Sequence, residues 1–336
     1  MALFISPGLH TSAPGFFFIM ADILDRLSLS SCWCSARHSD GYEMIEEVCE
    51  LGFKRIELSH GIRISLVPGI LKALEEGMIE VSSVHNFCPL PNMVQYAAPN
   101  LYQPSSSDSR ERDLWHRYSM QTLNFAVKVG APRVVMHSGS VHYFFWSPES
   151  RLERWVEKAG LGANELREHK AFRKRCDRVL KGIRRSASPC IERIHESYNK
   201  LLPEVSERGL QLGIEIREGM EELPMDVDFE AFLDAFGDEA PVGYWHDCGH
   251  AQLKHQFGII DHAAQLEKLA PRLLGFHLHD VSEGGKDHQV PGTGVIDFKM
   301  IAGFVRPEHN LTLELSPALT TDQVRQSRDY IVDCLH

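Results

Sequence analysis

Eight short β-branched runs alternate with amphipathic helical stretches, and no Gly-rich phosphate loop follows an early run. Together these predict a (β/α)8 TIM barrel rather than a doubly wound open sheet, which would usually announce such a loop. The chain has 336 residues, 43% of them hydrophobic and 24% charged. That is long enough to bury a large core without disulfides.

The first 20 residues, MALFISPGLHTSAPGFFFIM, contain no Lys or Arg, and Pro7, Gly8, Pro14 and Gly15 interrupt their apolar run. The pattern fails as a secretory signal on both counts and reads as a disordered extension, with Met20 as an alternative start. The barrel is expected over 21–336. Its strands are read at 27–33, 54–59, 80–85, 133–138, 210–216, 242–247, 273–280 and 311–315. Helix faces lie between them: Met44, Ile45, Val48 and Leu51; Leu114, Tyr118, Phe125 and Val129; Ile191, Ile194, Tyr198, Leu201 and Val205. Gly52, Gly130 and Gly209 follow these helices where a left-handed cap is wanted. No stretch is long and apolar enough to predict a membrane span.

One connection is too long. About 70 residues separate strand four from strand five, where one helix and two loops suffice. With 190–208 as the return helix, residues 140–187 become a helical insertion after strand four, on the face where a barrel keeps its active site. It carries Trp146, Trp155 and the run HKAFRKRCDRVLKGIRR. The formal net charge is −11, but residues 151–200 hold 14 Lys+Arg against 7 Asp+Glu, so this block is +7 and the remainder −18. An acidic body argues against nucleic acid as partner. The basic block reads as a solvated helical arm, a surface attracting a phosphorylated sugar, or a subunit contact; a homodimer suits a barrel with a protruding arm. The eight cysteines form no tight framework and read as reduced thiols in a cytoplasmic protein.

The chemical signal lies at the strand ends. Strand three ends at His85 and strand four at His137; strand five carries Glu215; strand six ends at Asp247, with His250 three residues on. Strand seven carries His277, His279 and Asp280, strand eight Glu314, and strand two Glu57. So many imidazoles and carboxylates converging on one axis cannot form an apolar layer; they read as ligands paired through a bound cation, or else as a salt-bridge network that only shifts their pKa values. The mix of nitrogen and oxygen donors suits Zn²⁺ or Mn²⁺, with Mg²⁺ or Co²⁺ as further candidates. Trp245, Phe87 and the insertion's Trp residues read either as platforms for a sugar ring or as core.

The segments VGYWHDCGHAQL, LLGFHLHD with DHQVPGTGVIDF, and LTLELSP resemble the late strands of the xylose-isomerase-like barrel superfamily, which holds sugar and sugar-phosphate isomerases and epimerases and also endonuclease IV. The resemblance covers about residues 27–330, insertion excluded. It implies one divalent ion held by Glu215, Asp247, His277 and Glu314, with Glu215 and Glu314 also acting as the acid/base pair through an enediolate. It places His250 and Arg217 at substrate oxygens, Glu57 at a hydroxyl, and His85 and His288 at the substrate. The endonuclease IV branch implies further ligands at His85, His137, His250 and His288. There the branch's Asp-x-His is replaced by adjacent Asp287–His288, and Lys286 takes the aspartate's place, which favours one or two ions over three. The expected activity is therefore sugar or sugar-phosphate isomerisation or epimerisation. The competitors are a zinc phosphodiesterase, a hydrolase or lyase on a modified sugar, and a non-catalytic sugar-binding barrel.

Overall fold

The computed structural model describes residues 23–335, so the extension expected at 1–20 and a start at Met20 lie outside the described residues. Eight parallel strands close into a barrel in chain order: β1 (Leu27–Ser30), β2 (Arg55–Leu58), β3 (Glu80–His85), β4 (Arg133–Met136), β5 (Gln211–Glu215), β6 (Val242–Asp247), β7 (Leu273–Leu278) and β8 (Asn310–Leu313). Closure runs through β1 and β8, where Ser28 pairs with Thr312 in register and their hydroxyls meet at 2.9 Å. Helices wrap the outside and bury faces such as Met44, Ile45 and Val48 against it. Gly52, Gly130 and Gly209 all lie at positive φ, as expected of left-handed caps.

The alternation of side chains along a strand sorts the chemistry inward. On β6, Trp245 and Asp247 share the inner face, while His246 points out to hydrogen-bond His262 at 3.0 Å. Trp245 fills the barrel interior because both neighbouring strands offer glycine. A Cβ on Gly213 or Gly275 would lie 2.7 Å from its ring. Trp245 and Phe87 are therefore core, fully buried.

The insertion differs from its expected outline. It folds as helices Pro148–Ala159 and Ala163–Glu168 followed by one helix, Lys170–Glu207, of 38 residues. The boundary expected at residue 187 falls inside this last helix, which runs through Pro189. Leu152, Leu166, Phe172 and Cys176 form a small core of their own, covered by Trp155 and closed against Met220 and Phe257 of the barrel loops. The insertion thus sits on the β5 and β6 side of the barrel mouth. No helix among the described residues is long and apolar enough to cross a membrane.

Candidate metal centre

The inward faces of β5, β6, β7 and β8 bring Glu215, Asp247, His277 and Glu314 together, all buried. His277 stands at their centre. Its Nδ1 is 2.9 Å from Glu215 Oε1, 3.0 Å from Glu314 Oε2 and 3.7 Å from Asp247 Oδ2. Burial pushes this imidazole down, but Glu314, Glu57 and the surrounding carboxylates outweigh it and hold its pKa well above the usual value. For Glu215, burial pushes the carboxyl up, but Arg217 and then His137 outweigh it and hold it well below the usual range. Asp247 is likewise pushed up by burial and pulled well below by His250 and His279.

Glu57, expected at a substrate hydroxyl, lies instead beneath His277. It is fully buried and its oxygens are occupied: Ser30 and Ser83 donate to it at 3.1 and 2.8 Å, and His277 Nε2 meets it at 3.1 Å. Such a carboxylate fixes the ring and its tautomer, leaving Nδ1 for the centre. Arg217, expected at substrate oxygens, is spent on carboxylates, with NH1 3.2 Å from Glu215 and Nε 3.0 Å from Glu222.

The four histidines expected around one further ion separate into two pairs. His85 and His137 lie on the β3–β4 side with their Nε2 atoms 3.4 and 2.6 Å from Glu215 Oε2, so Glu215 faces the four-residue core with one oxygen and this pair with the other. Burial, and then Arg217, lower the His137 pKa to about 4. His250 and His288 lie on the far side, ring centres 6.3 Å apart. The N–H of His250 caps onto Asp247 at 2.7 Å, and its Nδ1 meets the Ile216 carbonyl at 2.9 Å. His288 occupies left-handed backbone, φ 53°, and stacks on His279 at 4.2 Å. Burial lowers its pKa, but the Asp287 hydrogen bond and Glu314 carry it up to about 9. Asp287, next to Lys286 in the chain, groups with His250 and Glu218, one donor atom of each lying within 4.8 Å of the others.

Two residues were not singled out from the sequence as site residues. His279 holds Asp247 at 3.0 Å and accepts the His288 N–H at 2.9 Å. His60, just past β2, packs edge-on to His85 at 4.7 Å. The strand-end rule reaches His279; His60 sits one residue into a loop beyond Ser59, where nothing marks it. Asp280, read among the converging residues, turns away from the centre. It accepts backbone N–H groups from Val281, Gly292, Gly294 and Ile296 and so builds the PGTG loop that carries Asp287 and His288 into place. At Gly294 a Cβ would lie 2.1 Å from the Val281 carbonyl oxygen, so the motif admits only glycine there. A cavity of about 420 Å³ opens beside Glu314 and His288, walled by His60, Arg63, Tyr96 and Lys286.

A profile of the xylose isomerase-like TIM barrel family matches residues 163–331. No curated protein matches the chain. Solved structures resemble it across 92% of its length: a D-tagatose 3-epimerase-like protein (15% identity, 98% of that chain, TM-score 0.62) and an L-ribulose 3-epimerase (15%, 94%, 0.65). A 3-keto-D-glucoside 4-epimerase from E. coli does so at 12% identity over 98% of that chain, TM-score 0.62. At such identities the likeness speaks for the fold. The family match spans half the chain and falls on the segments that build β5 to β8 and their ligand-type side chains, so the chain belongs to the xylose isomerase-like TIM barrel family.

Proposed function

We propose that the protein is a divalent-metal-dependent isomerase or epimerase of a sugar or sugar phosphate, with Glu215, Asp247, His277 and Glu314 as metal ligands. The observation that carries this reading is three buried carboxylates from β5, β6 and β8 gathered around one imidazole nitrogen beside a sugar-sized cavity. Among the described residues the His277 imidazole alone reaches all three of these carboxylates, and the N/O donor set fits Mn²⁺ or Zn²⁺, with Mg²⁺ or Co²⁺ as alternatives. When bound, such an ion polarises a carbonyl and acidifies the neighbouring C–H. The solved epimerase structures with this fold support a sugar as substrate.

The protein's own residues then divide the proton work. Glu314 bonds His277 through Oε2 and keeps Oε1 without a bond among the described residues, at the cavity wall. It is the carboxylate that takes or returns the substrate proton, with Glu215 as its partner. Arg217 and His137 hold Glu215 in place. His288 lines the cavity beside Glu314, where it can meet substrate oxygens. The eight free cysteines fit a reducing compartment such as the cytoplasm.

A second reading draws on one specific observation: Glu215 faces His85 and His137 with its other oxygen. A carboxylate set between two donor groups is how two-metal phosphoesterases bridge their ions, and this would make the protein a phosphoester hydrolase. Incubation with ketoses in D₂O, together with a metal count per chain, separates the two. The isomerase reading expects deuterium at the carbon beside the carbonyl and one essential ion. Two or more ions, no exchange and cleavage of a phosphodiester would establish the hydrolase. Sugar binding without either reaction would leave a binding barrel.

A further inference from the structure

Away from the barrel mouth, the insertion gathers three guanidinium groups around a groove of about 210 Å³ between helices Pro148–Ala159 and Lys170–Glu207. Arg151 reaches it from the first helix, and Arg175 and Arg178 from the second. Pro148, Leu152, Val179 and Gly182 complete the lining. No carboxylate lines the groove, and none of the three arginines has an ion-pair partner among the described residues. On the same helix Arg184 pairs with Asp228 at 2.5 Å, whereas Arg173 and Arg185, like the groove arginines, have no ion-pair partner among the described residues. Three like charges left unpaired at one groove repel one another, and an anion removes that repulsion.

Two further features favour a bound oxyanion over a merely solvated surface. Arg175 lies over the Trp155 ring, its guanidinium carbon 4.9 Å from the centroid, and its Nε is buried without a hydrogen-bond partner. The stacking holds this guanidinium in place beside the groove, which lowers the ordering cost of binding an anion there. Gly182 sits in mid-helix at the groove, and a Cβ there would meet nothing within 4 Å. No packing demands this glycine, although glycine costs a helix interior about 1 kcal/mol. Its effect is to leave the backbone open to close approach.

We infer that this groove binds the phosphate group of a small phosphorylated molecule or free phosphate, held by Arg151, Arg175 and Arg178. The site is independent of the metal centre and of the reaction proposed there. Planar guanidinium forks match phosphate oxygens in pairs, which is why arginine rather than lysine lines the groove.

The test is calorimetric titration of the intact protein with inorganic phosphate, and with glucose 6-phosphate against glucose, while Trp155 fluorescence is followed as the local reporter. Arg175→Ala and Arg178→Ala should each weaken phosphate binding by about tenfold, and Arg178→Lys by less. Arg117→Ala, at an exposed position of the helix Ser109–Val129, should leave it unchanged. Glucose 6-phosphate binding tighter than phosphate would name an organic phosphate as the ligand; equal affinity would name the free ion. The inference fails if phosphate affinity is the same in the double Arg175→Ala/Arg178→Ala variant, or if Arg117→Ala weakens it equally. It also fails if a single-stranded oligonucleotide binds through these arginines while phosphate and glucose 6-phosphate do not, since that would make the groove a nucleic-acid surface.

Discussion

The barrel mouth and the insertion spend charge in opposite ways. At the mouth, Glu57, Glu215, Asp247, His277 and His279 are buried and interlocked, each touching at least one other member of the group. In the insertion, Arg151, Arg175 and Arg178 stand around a groove with no carboxylate in it. The first region has excess negative charge with geometry already set; the second has excess positive charge with no internal partner. The mouth thus gathers carboxylates and the groove guanidinium groups, two places that want ligands of opposite sign.

Variants at the two regions should therefore differ in scale. Glu314→Gln removes the carboxylate at the cavity wall and should lower turnover by about a thousandfold or more with the fold intact, measured as deuterium exchange alongside circular dichroism. Retained turnover would remove Glu314 from the proton-transfer role. Next, Glu57→Gln keeps the shape but weakens the brace on His277, and metal affinity should fall about 10–100-fold. A chelator competition measures this, and unchanged affinity would make Glu57 a bystander.

The barrel body supplies an intermediate effect. Burial, then His255, lowers the pKa of His262 to about 4, and burial, then Arg133, does the same for His309. Unfolded chains protonate these imidazoles near 6.5 while the folded protein keeps them neutral. Stability is thus fully present above that pH and declines as it falls towards about 4, by at most about 3 kcal/mol per group. Urea titrations across this window should show the slope, and His309→Phe should flatten it. The smallest effect belongs to the insertion: Ser147 caps the Ser150 N–H at 3.0 Å, and Ser147→Ala should cost about 1 kcal/mol in thermal unfolding without changing metal content.

The strands were legible because β-branched runs and their period of two survive in short parallel strands, and the same period carried Glu215, Asp247, His277 and Glu314 to one face. Partner choice was not legible. Glu57 and Asp247 are both strand-borne acids, yet one supports a histidine from beneath and the other stands beside it, a difference set by where Ser30 and Ser83 lie across two neighbouring strands. The split of the histidines into two pairs depends on barrel curvature, which no local pattern records. The boundary at 187 followed from giving the return helix only residues 190–208. That helix instead extends back to Lys170, across Pro189, with Ala187, Cys190 and Ile194 buried along one face.

That uninterrupted helix, 38 residues and about 57 Å long, ties the arginine groove to the barrel wall as a single shaft. Rotation at one end is rotation at the other. Removing seven residues from it, about two turns, would return the groove to nearly its present facing, whereas removing five would swing it by about 140°. Length changes in this part of the chain are therefore constrained in steps, and a graft of the insertion onto another barrel has to match phase before it matches sequence.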